Sequence, residues 1–480
     1  MKKKFITSSI VAASITSSIF QINPAFAAKS AASQGFFYKA KQFWEKSKVK
    51  IVSTLAAVGA LFVKKKVFDI TSIRKVKEGD DVPDVEGMAQ DCSHMFLTMD
   101  RKKFEDSIKN AEFYQLYSAY KVGYNGFIPT SEKSKAEYRD IIFKELDRRL
   151  DDGTVRSWLD KRWEGINLDD AKKNLISYIK DLIRFDPSRG DKGVPIYLAI
   201  GSGGSGKSYG FELNVELLSG LKSGDSLSFV NEDEKSVASK ISGAPASFKG
   251  AEIMPDKTVG KAEDINRKFT PLLFDESDKT KASAWGSVLE PLNDGVWKWN
   301  YNEEKYKITY GIYMTANFKN HDFIEGWEGL TQSAAKGRLR SAFLNDATKH
   351  FGEAFMTRVK YISIFKAPLR EEAKQYIDKR IKKTQGSSEV ANFFIDESLS
   401  DSKHDEVLDL IYNKLKGKAV KDKASFREVS YGLIPTLIGV ASEQNTGISL
   451  AGRQVKLGLD KTGNLKAELV YGKPQFKDYF

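Results

Sequence analysis

The sequence predicts an α/β protein: a three-layer domain with helices on both faces of a mostly parallel sheet, a helical region before it and a small helical lid after it. Three observations carry this. Apolar runs at 195–200, 270–274 and 308–315 read as buried strands, and each ends abruptly in small or polar residues. The segments between them have helical periodicity, so strands and helices alternate, as a layered α/β domain requires. The chain of 480 residues, 41% of them hydrophobic, is long enough to bury such a core and to form more than one domain.

The first strand runs straight into Gly201-Ser-Gly-Gly-Ser-Gly206-Lys207-Ser208. This spacing is that of a phosphate-binding loop. Gly201, Gly203, Gly204, Ser205 and Gly206 let backbone N–H groups turn inward around a phosphate chain, Lys207 reaches the β- and γ-phosphates, and the Ser208 hydroxyl is placed for Mg²⁺. Residues 209–218 continue as the helix whose N-terminus faces the phosphates. The second strand ends in Asp275-Glu276. Asp275 suits a Mg²⁺ water shell, and Glu276 sits where a general base polarises the water that attacks a γ-phosphate. The third strand ends at Asn317, an amide able to orient the same water. The expected cofactors are therefore ATP and Mg²⁺.

Composition narrows the rest. A single cysteine, Cys92, excludes an internal disulfide and a multi-cysteine zinc site, and His94, His321, His350 and His404 lack metal-ligand spacing. The net charge of +12, to which Lys2, Lys3 and Lys4 contribute, suits an acidic partner, an anionic membrane surface or simply solvated lysine faces. No internal repeat is present. Residues 1–27 carry the basic start, the apolar run and the Pro24-Ala-Phe-Ala27 end of a bacterial secretory signal peptide, with cleavage expected after Ala27. Residues 28–66 form an aromatic and hydrophobic segment, expected to meet a membrane through 36–66. Within it, Ile51–Val63 is followed by Lys64, Lys65 and Lys66. It reads as a thin membrane anchor with the ATPase on the cytoplasmic side, as an interfacial helix, or as a core helix of an exported protein. Residues 67–87 read as a linker, 88–150 as a helical region without chemistry of its own, 151–370 as the large nucleotide-binding subdomain, and 371–480 as the small helical subdomain and tail.

In these motifs, over about residues 160–460, the chain resembles the AAA+ ATPases of the Clp/heat-shock disaggregase type, in their C-terminal ring module. Glu164 to Lys180 is similar to the family's entry helix, Leu273–Lys279 with Leu289–Gly295 to its Walker B segment, and Met314–Asn317 to sensor 1. Glu234–Gly250 is similar to the segment leading into the pore loop, with Phe248 at the aromatic position and Lys249 after it. Phe351–Phe365 resembles the arginine-finger segment, with Arg358 at the finger, and Ala451-Gly452-Arg453 resembles sensor 2 with the first two residues inverted. The resemblance implies a homo-oligomeric ring, a hexamer, that hydrolyses ATP and remodels, unfolds or translocates a polypeptide substrate. It implies that Glu276, Asn317 and Arg358 are catalytic and that Arg453 contacts nucleotide. Signal peptide, hydrophobic segment and single module together also resemble the torsins, although Ser208 and Arg358 depart from that pattern. Phe318–His350 lacks the Ile/Leu-Gly-Phe tripeptide with which Clp proteins dock on a protease, so no protease partner is expected, and nucleic acid is not the expected partner either. The competing classes are an exported phosphotransferase built on the same loop and a nucleic-acid-stimulated motor.

Overall fold

The computed structural model describes residues 70–123, 131–163, 168–187, 190–191, 193–318, 332–365, 370–384, 391–415 and 427–470, all within the unit Ile70–Phe480. The signal peptide, the segment 28–66 and the torsin-like arrangement built on them lie outside the described residues. Among the described residues, no helix is long and apolar enough to cross a membrane.

An extended stretch with Ile73 buried leads into helices α1 (Val85–Thr98), α2 (Arg101–Lys109), α3 (Phe113–Val122), α4 (Glu132–Asp151), α5 (Thr154–Arg162) and α6 (Asp169–Arg184). Their starts are set locally. Asp84, Asp100 and Ser131 accept hydrogen bonds from the backbone N–H groups of Gly87, Lys103 and Ser134, and Glu112 with Gln115 forms a capping box. Gln115 also donates to the Ile73 carbonyl at 2.8 Å, which fastens the entering chain to α3.

From there the chain alternates: β1 (Ile196–Gly201), α7 (Lys207–Ser219), β2 (Ser226–Ser228), α8 (Glu234–Ser242), β3 (Leu272–Asp275), α9 (Gly286–Asp294), the hairpin β4 (Val296–Lys298) and β5 (Lys305–Lys307), β6 (Ile312–Ala316), α10 (Gln332–Phe351) and β7 (Tyr361–Phe365). The sheet order is β2-β3-β6-β1-β7, with every neighbouring pair parallel. β1 is buried along its whole length because helices cover both faces of a parallel sheet, which is why it reads as one apolar run. Its side chains alternate between two cores. Tyr197 and Ala199 join Tyr117, Tyr178, Tyr313 and Phe365 in a core shared with α1–α6, while Ile196, Leu198 and Ile200 join Phe274, Met314, Trp285 and Trp297. Region 88–150 is thus helical where it is described and packs, through Tyr117 of α3, into the same core as one face of the sheet.

The third strand starts four residues later than its apolar run. Gly311 lies against Tyr178 so closely that a Cβ there would fall 2.3 Å from the ring hydroxyl, and the Ile308 N–H bonds Gly295 rather than a sheet neighbour. The C-terminal part adds a small sheet to the expected helical lid. α11 (Arg370–Lys383), α12 (Asp401–Leu415) and α13 (Leu433–Gln444) pack on a three-stranded sheet of β8 (Asn392–Ile395), β9 (Gln454–Leu459) and β10 (Leu465–Leu469), around a core of their own. β9 and β10 bury alternate residues, Val455 and Leu457 in β9 for example, so no continuous apolar run marks them, and the run Phe393-Phe394-Ile395 in β8 is short.

Candidate nucleotide-binding site

In a parallel sheet, ligands sit beyond the carboxyl ends of the strands, where neighbouring connections diverge. Here β1, β3 and β6 lie side by side and end in Gly201, Asp275 and Ala316, which brings the three polar motifs to one edge.

Glycine at 201 is required by packing: an added Cβ would fall 2.0 Å from the Phe365 carbonyl oxygen of β7. Gly204 and Gly206 have φ of 73° and 95°, left-handed values that wind the loop back to the first turn of α7. Ser205 is buried and its hydroxyl donates to the Ser202 carbonyl at 2.8 Å, closing the loop, while Gly203 is exposed with open space where a Cβ would stand. Half-buried Ser208 sits in the first turn of α7. The turn is held from below, because Tyr313 on β6 donates to the Lys207 carbonyl at 3.1 Å and its ring stacks on Tyr197 of β1.

Lys207 is 6% exposed. Its ammonium donates to the Gly201 carbonyl at 3.0 Å, the Ser202 carbonyl at 2.7 Å and Asn317 Oδ1 at 2.6 Å. Burial lowers its pKa to about 8, opposed by the negative charges of Asp278 and Asp275 and reinforced by the positive charge of Arg427. The Ser202 hydroxyl is buried without a hydrogen-bond partner among the described residues.

The carboxylates are tied to β6. Thr315 donates its hydroxyl to Asp275 Oδ1 at 2.5 Å and accepts from the Glu276 N–H at 2.9 Å. Glu276 has φ of 51°, a left-handed conformation that costs a non-glycine residue about 1 kcal/mol or more and is retained where a site needs it. Its side chain is partly exposed and bonded to Lys279 at 2.5 Å. Asp278 accepts from the Asn317 N–H at 2.8 Å, and His350 Nε2 of α10 lies 3.1 Å from the Ser277 carbonyl. The structure therefore brings Lys207, Asn317, Asp275 and Glu276 together as expected from the motifs, and it adds Asp278 and Thr315.

The two arginines behave differently. Arg358 follows the helical turn Glu353–Met356, donates to the Ala354 carbonyl within that turn, and leaves its buried Nε unpartnered among the described residues. Arg453, exposed just before β9, donates to the Ser449 carbonyl of its own turn. Arg427 of the C-terminal part lies at the loop: its backbone N–H donates to the Gly204 carbonyl at 3.3 Å, its side chain is exposed, and its charge is felt by Lys207. The resemblance pointed to Arg453, and tertiary packing also brings the start of the 427–444 helical segment to the phosphate loop.

Phe248 and Lys249 lie well apart in the chain from this edge, in the loop that follows α8. Both are exposed.

The loop fits a nucleotide phosphate chain: a helix N-terminus behind left-handed glycines, a buried ammonium, an unpartnered hydroxyl at Ser202, and carboxylates across from them. Among the described residues, no three His, Cys, Asp or Glu side chains are arranged to hold a metal by themselves. Ser208 and Asp275 offer the oxygens that Mg²⁺ carried by a nucleotide would meet.

No protein-family model matches the chain. Over 217 residues it is 26% identical to the chaperone protein ClpB of Bacillus cereus, and equally to that of Bacillus anthracis, a match covering 45% of this chain and 24% of each of those proteins. The chain thus spans about a quarter of the length of the curated relatives it matches. Among solved structures, Hsp104 with ATPγS and FITC casein aligns with a TM-score of 0.50 at 17% identity, covering 80% of this chain and 64% of that one. The S. cerevisiae Hsp104:casein complex in its extended conformation aligns at 0.50 and 16%, covering 80% and 65%. The mixed α/β fold with its parallel central sheet is that of the Hsp104 structures, and the chain is similar to the Clp/Hsp104-type AAA+ ATPases.

Proposed function

We propose that this protein is a Mg²⁺·ATP-hydrolysing AAA+ ring, hexameric, that remodels, unfolds or translocates polypeptides at or near a membrane. The observation that carries the reading is the convergence of Lys207, Asn317, Asp275 and Glu276 on one edge of the sheet, with Lys207 hydrogen-bonded to Asn317. ClpB is named a chaperone and Hsp104 is seen with casein, which supports a polypeptide substrate. The signal-type residues 1–27 and the apolar stretch 51–63 support a place at a membrane.

Backbone N–H groups from Gly203 to Ser208 would cradle the phosphates, and Lys207 would exchange its carbonyl partners for β- and γ-phosphate oxygens. Mg²⁺, held through Ser208 and the water shell of Asp275, would neutralise charge on those oxygens. Glu276 would take the proton of the attacking water, and Asn317, fixed by Asp278, would orient that water. Arg358 makes no contact with the loop of its own chain in the hydrogen bonds described, which suits a finger offered to a neighbouring subunit. Arg453 would sense nucleotide from the C-terminal part, and Arg427, whose backbone lies at the loop and whose charge reaches Lys207, is a second candidate for that role.

The test is phosphate release by the full chain, alone and with an unfolded polypeptide. Glu276→Gln is expected to lower turnover by about 10²–10⁴-fold while ATP still binds. Turnover unchanged in that variant would remove Glu276 as the base. ATP consumption strictly dependent on a small hydroxyl acceptor, or on single-stranded nucleic acid, would replace the proposed class with a phosphotransferase or a nucleic-acid motor.

A further inference from the structure

Three successive peptide groups around Glu276 are held from different directions. The Glu276 N–H donates to Thr315 Oγ1 of β6 at 2.9 Å, the Glu276 carbonyl accepts from the Lys279 N–H of its own turn at 2.9 Å, and the Ser277 carbonyl accepts from His350 Nε2 of α10 at 3.1 Å. A carbonyl oxygen has no proton to give, so Nε2 carries the hydrogen of this bond. Ser277 is fully buried and its hydroxyl donates to the Phe274 carbonyl at 2.9 Å, so the turn closes back on β3.

The imidazole is itself oriented. Its ring meets Phe318 edge to face with centroids 5.8 Å apart, and Phe351 in the same manner at 4.9 Å. Phe318 is the residue after Asn317, and Phe351 ends α10. Beyond it, Phe351 and Phe355 pack on Trp285 at 5.0 and 5.3 Å, and the Phe355 carbonyl accepts from the Arg358 N–H at 2.9 Å. His350 therefore stands where the turn of Glu276, the residue following Asn317 and the segment carrying Arg358 meet.

Glu276 needs such support more than an ordinary residue does. Its φ of 51° is left-handed, a conformation that persists only while the surrounding structure fixes it. Of the three holds, the Lys279 N–H moves with the turn, whereas Thr315 and His350 reach it from separate elements. Thr315 fixes the peptide before Glu276, and His350 fixes the peptide after Ser277. Taking away the imidazole donor leaves the carbonyl of a buried residue short of a partner and frees one side of the turn.

We propose that His350 is a positioning residue for Glu276: by holding the Ser277 carbonyl, it keeps the carboxylate where it takes the proton of the attacking water. This rests on the reading of Glu276 as the base of the proposed ATPase. His350 acts through the backbone of the turn, so its loss lowers the rate of hydrolysis and leaves nucleotide binding nearly unchanged.

The experiment measures steady-state ATP turnover by the full chain with His350→Leu and His350→Gln, each with and without Glu276→Gln. Leucine fills the place against Phe318 and Phe351 without a donor, and is expected to lower kcat about tenfold with KM within about twofold. Glutamine returns an N–H donor and is expected to stay within about threefold of the unaltered chain. In Glu276→Gln chains, His350→Leu should cost less than about twofold more, since a residue that acts through Glu276 has nothing left to position. If His350→Leu does not fold, His350→Phe, an aromatic ring without a donor, takes its place with the same expectation. An unchanged kcat in His350→Leu, a raised KM in place of a lowered kcat, glutamine as damaging as leucine, or a full tenfold loss added to that of Glu276→Gln overturns the role of His350. The base itself stands in each of those cases, so long as Glu276→Gln alone lowers turnover. Turnover unaffected by Glu276→Gln overturns the reading of the site, and this proposal with it.

Discussion

The phosphate edge and the loop at 244–255 reverse the usual distribution of side chains in opposite senses. At the edge, a lysine is buried with the carboxylates Asp275 and Asp278 acting on it, and its ammonium is held by three hydrogen bonds. On the loop, Phe248 and Ile253 stand in water on a backbone fixed at both ends. Buried charge is costly unless paired, and exposed apolar area forgoes stabilisation, so each region carries a penalty that the fold alone does not require. On the proposed function the comparison separates two tasks: a polar, preorganised interior for phosphate chemistry, and an exposed apolar loop for contact with a polypeptide. A clamp of Asp225, Lys261 and Arg267 joins the loop base to the strand that ends in Asp275, which gives the two regions a physical connection.

The largest break in this comparison comes from removing the buried charge. Lys207→Met is expected to weaken nucleotide binding by about a hundredfold or more, since truncating one member of a buried, hydrogen-bonded charged pair costs about 2–5 kcal/mol. Titration with a fluorescent nucleotide measures it; near-normal affinity would mean that the loop does not bind phosphate through Lys207.

Next comes pH. Burial sets the Lys207 pKa at about 8, below its ordinary 10.5. In the absence of nucleotide, the unfolded chain binds the extra proton between those values, so this group makes stability rise with pH across the window from 8 to 10.5. Phosphate favours the ammonium, so nucleotide binding above pH 8 should take up a proton, and affinity should fall with rising pH by up to about tenfold per unit. Calorimetry in two buffers of different ionisation enthalpy reads the uptake directly. Lys207→Arg should abolish it.

A smaller effect sharpens the assignment of the C-terminal arginine. Arg453→Ala is expected to reduce nucleotide affinity by about three- to tenfold, less at high salt because Arg453 is exposed, and Arg427→Ala to reduce it by less. The reverse ranking in the same titration would give the role to Arg427.

What could be read in advance follows from how each part is built. Asp275, Glu276 and Asn317 were legible because each lies within or just beyond a continuous apolar run, which burial on both faces of a parallel sheet leaves unbroken, and Lys207 because the glycine spacing of its loop follows such a run. Gly201 was legible as part of a motif, but its reason, the Phe365 carbonyl of β7 from far along the chain, was not. Asp278 stood in plain view three residues after Asp275, and only its bond to the Asn317 N–H gives it a role. Arg427 carried no local signal, since its place at Gly204 depends on how the C-terminal part packs against the loop. The strands β9 and β10 were hidden by half-burial, with residues such as Gln454, Lys456, Lys466 and Glu468 between the buried ones, and β8 by its brevity. Phe248 was singled out by the resemblance of Glu234–Gly250 to a pore-loop segment, whereas the exposure of Ile253 is a property of the folded loop.

The central claim is that subunits complete one another's phosphate sites in a ring. The most direct test is ATP turnover per subunit over a wide protein concentration range, with Arg358→Ala subunits mixed in at increasing fractions. A finger acting between subunits supplies about 10³–10⁵ in rate, so turnover should rise with concentration and fall more steeply than the fraction of unaltered subunits. Turnover independent of concentration, falling only in proportion to the altered fraction, would contradict the ring.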